Sequence, residues 1–363
     1  RVSKKTRFLK QKVADVKTLI VGGGLSGLAL AEALERDGQD YLLVEARKRF
    51  GGRIKSTAHK AAAYDLGPAW FWPGQPRIAA LIKRLNLHRF DQFSKGQLVY
   101  ESEQGQVQHG RGFASMAGSW RLIGGLGQLT EALAAQLPDG RKRLGAKVVA
   151  LLWQGQTVTA QFEDGTRVQA DRVVIAMPPR LAAHIQFEPA LTSAMMAALQ
   201  AVPTWMAGQA KAIAIYDRPL WRDAGLSGDA SSRYGPLVEI HDASAVFEEG
   251  YALFGFIGWG LNDRRDQSKL RHHICAQLGR LFGAEAATPQ KLILKDWADD
   301  PLTATPADQA PMYAHPTYGL PAEAQDLWPG ALFFAGSETA TEFGGYLEGA
   351  LEASEAVLKI LKP

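Results

Sequence analysis

Gly22-Gly23-Gly24-Leu25-Ser26-Gly27 reads G-x-G-x-x-G, and an acid, Glu45, follows at about the twenty-residue spacing of a dinucleotide-binding unit. Each residue type has a job. Gly22 permits a tight turn, Gly24 lets the backbone approach a pyrophosphate, and Gly27 lets a helix lie close to a strand. N–H groups at the helix start, from Leu25 and Ser26, face phosphate oxygens. Glu45 accepts hydrogen bonds from ribose hydroxyls. This fingerprint alone does not separate FAD from NAD. Arg47, Gly51-Gly52-Arg53 and Gly67-Pro68-Ala69-Trp70 follow closely. A second arginine-plus-glycine element suits a longer, bent cofactor lying deep in the protein, so Arg47 and Arg53 are read as phosphate contacts rather than surface charge. Far along the chain, Lys211 stands among Ala210, Ala212, Ile213 and Ala214. Burying an ammonium is costly, so a lysine there either has a task or escapes to a solvated face with Gln209 and Ile213.

The elements that must position these residues are legible from periodicity. Lys17 to Val21 reads as a buried strand, Leu25 to about Arg36 as a helix, and Tyr41 to Val44 as the next strand, ending in Glu45. Ala146–Leu152 and Thr157–Phe162 read as paired strands, and Ala170–Ala176 as a third that stops at Met177-Pro178-Pro179. Leu332–Ala335 is a strand with a terminal loop, Gly336 to Glu338. Gly345 to about Leu361 is a helix, with Leu347, Leu351, Leu358 and Leu361 near helical spacing. Its positive N-terminal end could lie against a planar ring and stabilise negative charge there. It also reads as an ordinary docking helix, and the two are compatible. Gln209–Tyr216 and Tyr251–Trp259 read as strands of another sheet, and Gln267–Phe282 as a helix. Pro301–Pro329 is the loosest stretch.

Composition narrows the classes. The 363 residues are 46% hydrophobic and 21% charged, enough for a large core. The net charge of +4 is small and mostly dispersed, which gives a nucleic-acid partner little support. A single cysteine, Cys275, excludes an internal disulfide and argues against a zinc cluster. His272 and His273 point to different helix faces, so no metal site is expected. No apolar run is long enough for a membrane span. The first seventeen residues are basic without an apolar stretch, so a signal peptide is not expected; the start without Met suggests trimming. A cytoplasmic location is the expectation.

The chain resembles the flavin-containing amine oxidase family, of the monoamine and polyamine oxidase type. The resemblance runs through the fingerprint to Glu45-Ala46-Arg47 and Gly51-Gly52-Arg53. It continues in Arg121-Leu122-Ile123-Gly124-Gly125-Leu126-Gly127 and Lys211 to Trp221. It ends in Ala335-Gly336-Ser337-Glu338-Thr339-Ala340 and Gly344-Gly345-Tyr346-Leu347-Glu348-Gly349-Ala350. It implies an α/β, two-domain FAD-binding Rossmann-like fold with an interleaved α+β substrate domain. The expected FAD domain is residues 1–79, 120–200 and 300–363; the substrate domain is 80–119 and 201–299. Implied cofactor contacts include Ala46, the backbone of Val148 at the adenine, Gly336, Glu338, Gly345, Tyr346 and Leu347, besides the residues named above. Implied catalytic residues are Lys211, holding a water near flavin N5, with Trp297 and Tyr346 as aromatic walls; read singly, those two are ordinary core residues. Trp70 and Trp72 are candidate cavity lining.

The implied reaction is FAD-dependent oxidation of an amine to an imine, hydrolysed to an aldehyde or ketone plus ammonia, with O2 giving H2O2. Two departures qualify it. The segment from Arg77 to Trp120 is far shorter than in the large amine oxidases. Where a flavin-linking cysteine beside an aromatic is usual, the chain reads Thr303-Ala304-Thr305-Pro306-Ala307. FAD is therefore expected to be non-covalent, and one half of the usual aromatic pair to be missing. Competing readings are a desaturase or a dihydropyridine oxidase on the same fold, and a non-enzymatic FAD-binding module.

Overall fold

A computed structural model describes residues 14–246, 250–310, 312, 314–325 and 327–362. The basic stretch up to residue 13 lies outside the described residues, as do three positions of the loose 301–329 stretch.

Glycine and β-branched runs set up the first layer. The strand Ala14–Val21 lies parallel to Tyr41–Glu45 on one side and Arg167–Ile175 on the other. Arg167–Ile175 pairs antiparallel with Val158–Phe162 along its first half and parallel with Leu332–Phe334 along its second. Val148–Trp153, Gln186–Glu188 and Lys142–Leu144 complete an eight-stranded sheet. Leu28, Leu34, Ile78, Leu129 and Leu351 form the core between one face and four helices, Leu25–Arg36, Pro76–Arg84, Gly127–Ala135 and Leu347–Leu361. Gly27 makes the closest helix–strand approach possible: a Cβ there would stand 1.9 Å from the carbonyl oxygen of Gly22. The C-terminal helix begins at Leu347 rather than Gly345, because Gly345 takes φ +79, outside the helical region. Glu348, fully buried in its first turn, accepts from the backbone N–H of Arg77 and of Ile78, both at 2.9 Å. It thereby caps the helix Pro76–Arg84.

The second sheet has seven strands, in the order Lys291–Asp296, Ala210–Tyr216, Tyr251–Ile257, Leu237–Asp242, Leu226–Ser232, Gln97–Glu101 and Val107–His109. Ala212, Leu253 and Ile257 pack on Ile274 and Leu278 of the helix Gln267–Phe282. The opposite face meets Tyr64, Leu66 and Trp70. Every residue of Ala210–Tyr216 is buried. The face shared by Lys211 and Ile213 is therefore not solvated: it is roofed by the segment that follows the nucleotide fingerprint. All strands of the second sheet fall within residues 97–109 and 210–296, and those of the first sheet outside them.

Candidate active site

A cavity of about 600 Å³ opens where the two sheets meet, within the size range of small-molecule sites. At one end it is lined by Gly22, Gly24, Leu25, Ser26, Glu45 and Arg47. Gly52 and Arg53 continue the wall, and Gly336, Gly345, Tyr346 and Leu347 close it from the C-terminal side. Gly67, Pro68, Ala69, Trp70, Lys211 and Trp297 line the other end, with Trp72 beside them. Gly27, Ala46, Val148 and Glu338 are not in the lining. Gly27 sits behind it for packing. Glu338, with no exposed surface, pairs with Arg53 at 2.5 Å.

The nucleotide end is built mostly from backbone. Neither the helix at Leu25 nor the helix at Leu347 has a side-chain cap on its N-terminal N–H groups, and both starts face the cavity. Two positive helix ends thus converge on one space, which suits an anion and a ring that gains electrons. Among the described residues, a Cβ on Gly24 would meet no atom within 4 Å apart from its own chain neighbours, so the space over this glycine is open for a ligand. The Glu45 carboxylate accepts from the N–H of Gly23 and of Arg47, each at 2.7 Å, and is held rigidly at the rim. Arg47 donates to Asp300 at 2.8 and 3.0 Å and to Thr303 at 2.9 Å. It is therefore anchored across the cavity wall rather than loose at the surface. These residues fit a dinucleotide.

The other end is aromatic around one ammonium. Lys211, 5% exposed, donates to the carbonyl of Gly67. Its Nζ lies 4.7 Å from the ring centre of Phe254, 5.1 Å from Phe256 and 5.8 Å from Trp70. Burial pushes its pKa down to about 8, and the charge of Asp65 only partly offsets this. Asp65 is itself raised by burial, against hydrogen bonds from Ser56 and the Leu126 N–H. Trp297 is pinned by a 2.8 Å bond from its indole N–H to the carbonyl of Leu66. His315 lies flat on Tyr346, centroids 4.8 Å apart and planes 13° apart, so an imidazole covers one face of that ring.

Sequence reasoning missed part of the wall. Met116, Trp205, Met206, Gln209, Phe256 and Glu239 also line the cavity. None belongs to a motif. The sequence signals were the crowding of aromatics in Tyr251–Trp259, which holds Phe256, and the alternation that puts Gln209 on the face of Lys211.

Comparison with known proteins agrees with this geometry. The profile of the family described as flavin containing amine oxidoreductase matches residues 100–357, and that of the NAD(P)-binding Rossmann-like domain matches residues 20–85. A probable flavin-containing monoamine oxidase A of Dictyostelium discoideum is 23% identical, covering 95% of this chain and 97% of that protein. That alignment spans 449 positions, more than this chain possesses, so the relative carries insertions absent here. Two solved structures share the fold. Putrescine oxidase bound to putrescine has a TM-score of 0.80 at 20% identity, covering 96% of this chain and 99% of the other. Cyclohexylamine oxidase from Brevibacterium oxydans IH-35A has a TM-score of 0.81 at 21% identity, covering 96% and 100%. With a dinucleotide-binding fingerprint, a Rossmann-like sheet and a family match over most of its length, this chain is an FAD-dependent oxidoreductase that belongs to the flavin-containing amine oxidoreductase family.

Proposed function

We propose that the cavity oxidises a small primary amine with Lys211, Trp297 and Tyr346 at the reacting end, O2 as acceptor and FAD held without a covalent bond. The observation that carries this reading is a lysine enclosed by aromatic rings at one end of a cavity whose other end is a nucleotide cradle. FAD, when bound, supplies the two-electron acceptor chemistry that turns an amine into an imine and passes the electrons to oxygen as hydrogen peroxide. The chain's own residues do the rest. The start of the helix Leu347–Leu361 offers uncapped N–H groups toward developing negative charge. Lys211 offers N–H donors in a water-poor pocket, where they act strongly. Its depressed pKa lets it shed a proton in mildly alkaline solution. Trp70, Phe256 and Trp297 present apolar surface that keeps bulk water from the reacting carbon.

Relatives named for monoamines, putrescine and cyclohexylamine support an amine as substrate. Cys275 lies in the helix on the far face of the second sheet and does not line the cavity, which supports a non-covalent flavin. The domain limits expected from the sequence, 1–79, 120–200 and 300–363 against 80–119 and 201–299, and a cytoplasmic location complete the proposal. The test is anaerobic mixing of holoenzyme with a panel of amines. Bleaching of the flavin by amines and not by NAD(P)H supports the reading; bleaching by NAD(P)H alone overturns it. Acid precipitation should leave all flavin in the supernatant.

A further inference from the structure

Glu239 occupies a position that strand pairing alone would not give it. Leu237 stands opposite Ile257 and Glu239 opposite Phe256, so the strand carries one extra residue, Val238, between the two pairs. The bulge turns Glu239 onto the face where Phe256 and Lys211 lie, since Phe256 also stands opposite Lys211 on the next strand. Lys211, Phe256 and Glu239 form a row across three adjacent strands, all lining the same cavity. Two strand spacings put Lys211 and Glu239 roughly 10 Å apart along that row.

The carboxylate is held on one side and open on the other. Glu239 Oε1 accepts from Ser115 Oγ at 2.5 Å and stands 2.9 Å from His241 Nε2. His241 Nδ1 stands 2.6 Å from Asp229 Oδ1, and both residues are almost fully buried. Among the described residues, Oε2 of Glu239 has no bonding partner, and the side chain keeps 38% of its surface exposed. A protonated His241 between two carboxylates leaves the trio with one net negative charge. Burial opposes that protonation, but the bonds to Asp229 and Glu239 outweigh it and raise the histidine pKa. The other charged side chains of the lining are Glu45, Arg47 and Arg53 at the nucleotide end, and Lys211. Among the described residues, the substrate end therefore has no arginine to receive a carboxylate, and has one carboxylate ready to receive a cation. Phe256, Met116 and Val238 give it an apolar floor for methylenes.

We infer that Glu239, positioned by His241 and Asp229, is a subsite for a second cationic group, so the preferred substrates are diamines and amines bearing a distal ammonium rather than α-amino acids. This rests on the reading that the cavity takes an amine. Glu239 is a binding residue for the distal group, and His241 is a positioning residue that acts through it.

The experiment titrates dithionite-reduced holoenzyme, in which no turnover occurs, with α,ω-diaminoalkanes of three to eight carbons and with n-alkylamines of the same lengths. At the favoured length the wild type should bind the diamine about tenfold or more tighter, the worth of one charge-assisted hydrogen bond. Glu239→Gln should bring that ratio close to one with FAD content and Tm retained. His241→Asn should give an intermediate ratio that falls further as the pH is lowered, because the freed carboxylate no longer has the imidazolium beside it. A wild-type ratio near one at every length, which needs no variant to read, overturns the inference. So does an unchanged ratio in Glu239→Gln. If no amine bleaches the flavin, the oxidation reading fails, while binding to the reduced enzyme still decides the subsite.

Discussion

The two ends of the cavity are made by different means. The nucleotide end relies on backbone and absence: glycines without Cβ atoms, two helix starts without caps, and charges that are paired within the protein, such as Arg53 with Glu338 and Arg47 with Asp300. The reacting end relies on side chains that meet only through strand register. Its central charge, Lys211, has a carbonyl and three aromatic rings for company. A site made of backbone tolerates change in side-chain chemistry but not in volume. A site made of side chains tolerates little change in chemistry.

The largest effect should come from volume at the nucleotide end. Gly27→Val places carbon against the Gly22 carbonyl and should leave little folded protein, because backbone cannot yield as a side chain does. Gly24→Val should instead fold with the far-UV spectrum of the wild type and yet carry almost no FAD, since its side chain enters the ligand space. If Gly24→Val retains flavin at wild-type stoichiometry, the cradle has been placed wrongly.

Chemistry at the reacting end comes next. Lys211→Met keeps the apolar stem and removes the donors. Flavin reduction and reoxidation, followed by stopped flow, should slow by ~100–1000-fold with FAD still bound. Rates within a few-fold of wild type would reduce Lys211 to a packing residue.

Glu45→Ala should then weaken FAD by about 1.5–3 kcal/mol for each charge-assisted bond lost, read as FAD affinity after purification. It also frees the N–H groups of Gly23 and Arg47, so the rim itself should loosen. Unchanged affinity would mean that other groups hold the ribose.

The smallest effect is on stability. Burial holds Lys211 near pKa 8 in the folded chain, below its ordinary 10.5. Between these values the unfolded chain binds more protons, so wild-type stability rises with pH relative to Lys211→Met. Tm measured for both from pH 7 to 10.5 should show the variant's advantage shrinking by a few degrees. A constant gap would mean that the lysine is not desolvated.

This contrast also explains what was legible in the sequence. Gly22 to Gly27, Glu45 and Arg53 lie close together in the chain, and their spacing is itself the geometry. The helix Gln267–Phe282 could be bounded to the residue, and the helix Leu25–Arg36 nearly so, because periodicity is local. Lys211 was visible as an oddity in an apolar run, but its surroundings were not. Alternation allowed a solvated face, and only the docking of Leu66 to Trp70 against that face decides otherwise. Glu239 was invisible. Its aim depends on a one-residue bulge opposite Tyr251–Ile257, and no feature of Leu237-Val238-Glu239 announces it. His315 against Tyr346 likewise depends on how a loop folds back, so the missing aromatic could be noticed and its neighbour could not.

The convergence of two helix starts has a consequence for how the protein comes into being. One start belongs to residues near 25 and the other to residues near 347, so the cradle is split between two segments far apart in the chain. The fingerprint strand and helix emerge before both their strand partner Arg167–Ile175 and the closing helix. The helix Pro76–Arg84 likewise waits for Glu348 to cap it. The cradle is thus complete only once the helix Leu347–Leu361 has been made and has packed against the fingerprint.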